Sequence, residues 1–321
     1  MTQVLGIVKE GKLIPEDLWV KLVNSMENDF GNLETNKERA KRELAESIIN
    51  SVKKRIVPRF GILFSGGVDS SMIAFISKQL KCNFACYTIG IEGSDDIAWA
   101  QKVANEYGFN FKFKVLNLDE LEAVVKDVIK ILNDVDIVKV SVGSVLYSAG
   151  KIALANGDSV LFGGLGSEEI FAGYQRHEDS LKNSNEFFGH QKLEAFFSVL
   201  KEDNFEVLHK ECWNGMKNMW KRDLIRDFTI AKKIGLDLRT PFLDKDVIKV
   251  AMNIHPMYKI DKDNKKIILR EAAEFIGLKK EFAWRKKQAA QYGSNFVNGI
   301  DKLAKKNGFK FKKDYLQSLL K

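Results

Sequence analysis

The stretch over 60–80 constrains the fold more than any other part of the chain. An apolar run from Phe60 to Phe64 breaks into a Gly/Ser loop at Ser65, Gly66, Gly67, Val68, Asp69 and Ser70, and an apolar-rich helix follows to Leu80. A short apolar run bounded by turn residues and then by a helical pattern reads as a buried strand, a tight loop and a covering helix. The unit recurs. Strands are predicted over 83–91, 111–116 and 159–162, and helices over 95–107, 118–132 and 141–155. Strands that alternate with helices predict an α/β fold in which a parallel sheet is doubly wound by helices on both faces.

The flanking segments read differently. Val4, Leu5, Ile7 and Val8 precede a KEGK turn, and the sequence becomes polar around 28–36, so 1–38 reads as an N-terminal appendage. From Glu38 the pattern ERAKRELAESIINSVKKRI sets Leu44, Ile48, Ile49 and Val52 at helical spacing and stops before Pro58. Beyond about His177 the strand signals fade, and helical stretches over 192–200, 221–234, 245–253 and 266–276 take over. The expected organisation is an appendage over 1–38, an α/β domain over 39–178 and a helical region over 179–321. No internal repeat or low-complexity segment is visible.

A chain that is 45% apolar and 29% charged, with 23 glycines and 4 prolines, is neither disordered nor collagen-like. Its 321 residues suffice for one large core or two medium ones, so folding needs no disulfide or metal. Cys82, Cys86 and Cys212 fit neither a zinc knuckle nor a redox CxxC and read as buried small hydrophobes in a reducing compartment. His177, His190, His209 and His255 make no HxxxH or HExxH spacing and read as packing or surface residues. No apolar stretch approaches the ~18 residues of a membrane span, and the N-terminus lacks a basic region followed by an apolar core. The expectation is a cytoplasmic protein with no membrane partner. The formal charge of +8 is C-terminal: from Lys279 onward 12 Lys+Arg stand against 3 Asp+Glu, and the rest of the chain holds 39 against 40. A basic end meets phosphate, as nucleotide or nucleic acid, or is a solvated lysine-rich helix face.

Ligands of open α/β sheets lie at the carboxyl ends of strands, where the loop Ser65 to Ser70 is expected. Gly66 and Gly67 let backbone N–H groups approach phosphate oxygens, and the helix N-terminus behind them adds partial positive charge. Ser65, Ser70 and Ser71 offer hydroxyls, and Asp69 is a candidate ligand for a magnesium ion on pyrophosphate. The spacing is not that of the GxxxxGK[ST] loop.

SGGVDS in this setting resembles the PP-loop of the ATP pyrophosphatases, which cleave ATP between its α and β phosphates. VLFGGLGSEEIFAGY from Val160, DLRTPFLD from Asp237 and AWRKK from Ala283, in this order, resemble the synthetase domain of asparagine synthetase, as does TIGIEGSDD from Thr88. The resemblance covers roughly 38–294 and is greatest to a divergent branch with archaeal members and asparagine synthetase domain-containing protein 1. It implies that the backbone at Phe64 and Ile89 holds adenine, that Gly163 and Gly164 border ATP, and that Ser65, Gly66, Gly67, Asp69 and Ser70 bind the phosphates. It further implies that Asp69 and Glu168 hold Mg2+, with Glu168 where the family has Asp, and that Lys287 is the catalytic cation.

Three departures qualify the substrate. Thr2 follows Met1 where the family's glutaminase domain begins with a cysteine, and 1–38 cannot hold that domain. The amide nitrogen is therefore expected from ammonia, another amine or a separate glutaminase subunit. Leu165 replaces a glutamate near the incoming ammonia; the β-lactam-forming relatives have Tyr there and draw their base from elsewhere. Val138, Lys139, Val140 and Ser141 replace a Thr-Thr-x-Arg stretch, leaving Lys139 as the local positive charge for a substrate carboxylate. The expected reaction is adenylation of a carboxylate followed by amide formation. The alternatives are an RNA-modifying PP-loop enzyme and a non-catalytic ATP-binding module.

Overall fold

The computed structural model describes residues 8–9, 12–29, 31–183, 202–261, 263–286 and 288–320. The helix expected over 192–200, His190 and Lys287 lie outside the described residues. Seven strands run in chain order: β1 Val8–Lys9, β2 Lys12–Leu13, β3 Phe60–Leu63, β4 Phe84–Ile91, β5 Phe111–Leu116, β6 Val160–Phe162 and β7 Asp237–Arg239. β1 and β2 pair antiparallel. The other five form one sheet in the order β5-β4-β3-β6-β7, and every neighbouring pair is parallel.

The chain divides into two compact units. One, Ile56–Gly163 with Arg222–Arg239 and Trp284–Lys321, contains the whole five-stranded sheet; the other, Met1–Arg55 with Gly164–Lys221 and Thr240–Ala283, is mainly helical. The two interleave along the chain instead of following one another, because β7 returns from the helical segments to pair with β6. β7 is the strand that the sequence pattern hides: three residues, two of them charged, are too few to display a period of two.

In the sheet unit, the helices Asp95–Tyr107 and Leu118–Leu132 have the bounds that the sequence predicts. Their ends explain why. Ser94 accepts from the Ile97 N–H, Gly108 closes the first helix in the left-handed region, and Asn117 with Glu120 makes a reciprocal capping box on the second. Helix Ile137–Ala155 starts four residues before its expected position because the Asp136 side chain caps it at the Lys139 N–H. By length and composition it could cross a membrane, contrary to the reading that no stretch comes near that size, yet 56% of it is buried in the structure. Val140, Leu146, Ala149 and Ala153 pack with Leu121, Val125 and Val128 against the sheet. Gly143 and Gly150 allow the helix Ile225–Ile234 to approach: a Cβ there would lie 2.7 Å from Ile230 Cδ1 and 2.8 Å from Ile234 Cδ1.

The helical unit draws on the N-terminal segment as structure. Helix Glu16–Asn28 buries Trp19, Val23 and Met26, and the Trp19 indole N–H donates to the Met216 carbonyl at 2.8 Å. Trp19 thus ties this helix to the helix Glu202–Met219. Periodicity alone misses both helices, since their apolar positions are interrupted by Asn, Glu and Lys.

Candidate active site

β3 is the point at which the strand order reverses: the chain proceeds from β3 to β4 and β5 on one side and returns to β6 on the other. Loops leaving such a strand diverge and open a crevice. The Ser65-to-Ser70 loop leaves β3 there and enters the helix Val68–Gln79. Phe64 still belongs to the scaffold, with its N–H donating to the Tyr87 carbonyl at 2.9 Å and its carbonyl accepting from the Thr88 hydroxyl. That carbonyl keeps a second lone pair. Ile89 is buried in β4, opposite Lys114 of β5.

The turn depends on Gly66, whose φ is +70°. A Cβ at this position would meet Trp99 Cδ1 at 2.8 Å and the Ala100 Cα at 3.1 Å. The loop is further held by Ser65 Oγ, which accepts from the Gly67 N–H at 3.3 Å, and by Ser70 Oγ, which donates to the Gly67 carbonyl at 3.2 Å. Gly67 caps the helix with no side-chain hydrogen bond, and Asp69 lies in the first turn. Unshared N–H groups and the macrodipole make such an end attractive to an anion. A carboxylate in that turn suits a magnesium ion that takes most of its other ligands from phosphate and water.

Arg285, the arginine of AWRKK, bonds to this loop. Arg285 donates from Nη1 to the Ser65 carbonyl, and its Nη2 lies 2.8 Å from Asp96 Oδ1. Its guanidinium carbon also sits 5.5 Å from the centre of the Trp99 ring. Asp96 is buried in the first turn of the neighbouring helix, and burial raises its pKa to about 6 against the opposing pull of Arg285. The short helix Ala290–Gly293 packs at the same place through its C-terminal end: Ser94 Oγ donates to the Gly293 carbonyl at 2.9 Å, and the Ile91 N–H donates to the Ser294 carbonyl at 3.0 Å. Asp95, Ala98, Trp99, Arg285 and Gln288 line a cleft of about 300 Å³ beside it.

The other candidate residues fall as follows. Gly163 directly follows β6 and donates its N–H to the Arg239 carbonyl at 2.9 Å. Gly164 and Glu168 belong to the helical unit. There Glu168 lies in the first turn of the short helix Ser167–Ile170, and its carboxylate is paired with the buried ammonium of Lys266, which also donates to Ser167 Oγ at 2.9 Å. Leu165 is half-buried in the turn before this helix. Lys139, on the sheet unit, has its ammonium 2.7 Å from Asp134 Oδ2, so its charge is already matched. Among the described residues no group of three or more His, Cys, Asp or Glu could enclose a metal ion.

The asparagine synthase family profile matches residues 43–308. The chain belongs to this family. Among relatives, a Methanocaldococcus jannaschii protein provisionally named asparagine synthetase (glutamine-hydrolyzing) 1 is 32% identical over 310 residues, covering 86% of this chain and 53% of the relative. The Rattus norvegicus asparagine synthetase (glutamine-hydrolyzing) is 31% identical over 307 residues, covering 92% and 49%. The asparagine synthetase (glutamine-hydrolyzing) 2 of Lotus japonicus is 29% identical over 287 residues, covering 82% and 45%. The chain thus spans about half the length of the curated relatives it matches. The family match takes in the loop, Asp96, Glu168, Lys266 and Arg285 together.

Proposed function

We propose that this chain is an AMP-forming, ATP-dependent carbon–nitrogen ligase that adenylates a carboxylate and passes the acyl group to an amine. The observation that carries this reading is the SGGVDS loop, which runs from the carboxyl end of the central strand into a helix N-terminus, with Asp69 in the first turn. A free carboxylate is a poor acyl donor because oxide leaves badly. Transfer of AMP to it, with loss of pyrophosphate, creates a good leaving group, and holding both reactants in one site makes the amine's attack effectively intramolecular. In this reading the backbone N–H group at Gly66, and that at Gly67 once it exchanges Ser65 Oγ for the ligand, receive phosphate oxygens, and Gly163 and Gly164 border the nucleotide. Phe64 and Ile89 contribute backbone to adenine binding. Lys287 opposes the charge that develops as the α-phosphoryl group moves. Asp69 is the protein ligand best suited to magnesium, which when bound neutralises pyrophosphate charge. Glu168 is a second candidate, with its charge partly met by Lys266.

Aspartate is not favoured over other carboxylates. Leu165 accepts no proton, and the ammonium of Lys139 is held by Asp134. The amine is ammonia, a larger amine, or ammonia supplied by a glutaminase. The test is magnesium-dependent release of pyrophosphate from ATP, with AMP as the second product, scanned over aspartate, other carboxylates and bulk RNA. Asp69→Asn and Lys287→Ala should each lower this turnover about 100-fold or more. Turnover near the parent value in both variants would remove the assignment.

A further inference from the structure

We propose that Arg285 is a positioning residue that sets the direction of the Ser65–Gly66 peptide in the phosphate loop. This rests on the ATP-binding reading above and adds a residue to it. A trans peptide is planar, with its C=O and N–H pointing in opposite directions. Arg285 grips the Ser65 carbonyl, so the Gly66 N–H of the same peptide is turned to the opposite side. A loop that receives phosphate must present N–H groups and turn its carbonyl oxygens away. Arg285 fixes one of those carbonyls on the far side of the loop.

Arginine suits this task where lysine does not. One nitrogen of the planar fork reaches the Ser65 carbonyl while another reaches Asp96 Oδ1 at 2.8 Å, so two acceptors are held at a set angle by one rigid group. Asp96 in turn anchors the fork to the helix Asp95–Tyr107. Trp99 of the same helix touches both parts, with its ring under the guanidinium and its Cδ1 at the place a Gly66 side chain would occupy. Gly293 is packed against the carboxylate, where a Cβ would come within 2.2 Å of Asp96 Oδ2. Asp96 and Trp99 thus hold Arg285 against the loop peptide, with Gly293 backing the Asp96 carboxylate.

Hydrogen–deuterium exchange on the unliganded protein tests this without reference to activity. In Arg285→Gln the amides over 64–71 should exchange about tenfold faster, with those of β5 unchanged. Arg285→Lys, which keeps the charge and loses the fork, should behave as Arg285→Gln. Unchanged exchange over 64–71 in both variants, or equal acceleration throughout the sheet unit, overturns the proposal. Calorimetric binding of ATP with magnesium is the second readout. Both variants should bind about tenfold or more weakly, and Asp96→Asn combined with Arg285→Gln should weaken binding no further than Arg285→Gln alone. Parent-like binding in Arg285→Gln, or additive losses, also overturns it. If the parent protein does not bind ATP, the functional reading fails, and the exchange result still decides whether Arg285 holds the loop.

Discussion

His177 shows what burial does to a single titratable side chain. It is fully buried, with Nδ1 accepting from the Tyr174 N–H at 3.1 Å, so the neutral ring carries its proton on Nε2. Burial, aided by Arg176, lowers its pKa to about 3. A folded-state value below the unfolded value means that the unfolded chain binds more protons. The stability contributed by neutral His177 is therefore complete above about pH 6.5 and is lost as the pH falls below it. Between pH 7.5 and 6.0 the loss is about 0.8 kcal/mol. His209, shifted the same way by burial, adds a smaller loss because it is partly exposed. Asp96 opposes them: its raised value makes the folded state gain protons near pH 6, worth about 0.4 kcal/mol over the same interval. Urea unfolding at the two pH values should show lower stability at pH 6.0, and His177→Asn, which keeps an acceptor near the Nδ1 position, should flatten that dependence. A slope unchanged by the substitution would mean that His177 is protonated in the folded state. None of this is legible in the sequence, where a histidine outside a metal spacing has no visible environment. The role of Arg285 is hidden for a related reason, since an arginine in AWRKK shows no acceptor in the sequence.

Between elements, polar contacts at the ends of amphipathic helices tie the fold together. Helix Lys37–Lys53 is readable from its periodicity, but its C-terminal end is also a docking point. Ser51 Oγ donates to the Pro241 carbonyl at 2.7 Å, and the fully buried Arg55 guanidinium lies 2.9 Å from Asp244 Oδ2. Asp244 has a second task, capping the helix Lys245–Asn253 by accepting from the Asp246 N–H at 3.0 Å. The sequence supports the capping role, because Asp follows a Pro-containing turn and precedes a helical pattern. It gives no sign of Arg55, which is 189 positions away. Asp244→Ala removes both interactions and leaves a buried cation without this partner. The expected cost is about 3–5 kcal/mol, and Asp244→Asn, which retains a capping oxygen, should cost less. Guanidinium unfolding would measure both. A loss below about 1 kcal/mol for the alanine variant is the size of a cap alone and would show that Arg55 does not depend on Asp244.

At the scale of the whole chain, the parallel sheet and the glycine-containing turn after β3 are legible because their signals are local: a period, a pair of glycines, a cap. The interleaving of the two units is not, because it rests on a pairing between β6 and β7 that spans more than 70 positions and leaves no local pattern. The basic C-terminal end shows the same limit from the opposite direction. Its lysines read either as a surface for phosphate or as a solvated helix face, and several are in ion pairs: Lys306 with Asp119 at 2.8 Å, Lys305 with Asp301 at 2.7 Å and Lys312 with Asp301 at 3.3 Å. Between them, Leu303, Tyr315 and Leu316 are buried in the core of the sheet unit, and the Tyr315 hydroxyl donates to Glu122 at 2.9 Å. Each such side chain is worth about 1.5–3 kcal/mol of burial, so the three together rival the 5–15 kcal/mol, roughly, by which domains are stable. Removing 303–320 should therefore abolish cooperative unfolding, read by near-UV circular dichroism, and a loss of RNA binding in that deletion would say nothing about RNA. Reversing the charge of the exposed Lys302, Lys310 and Lys313 separates the two roles. That triple variant should keep the parent's stability to within about 0.5 kcal/mol per site and its pyrophosphate release. If it instead loses a salt-dependent RNA affinity that the parent possesses, the basic end serves nucleic acid as well as the fold.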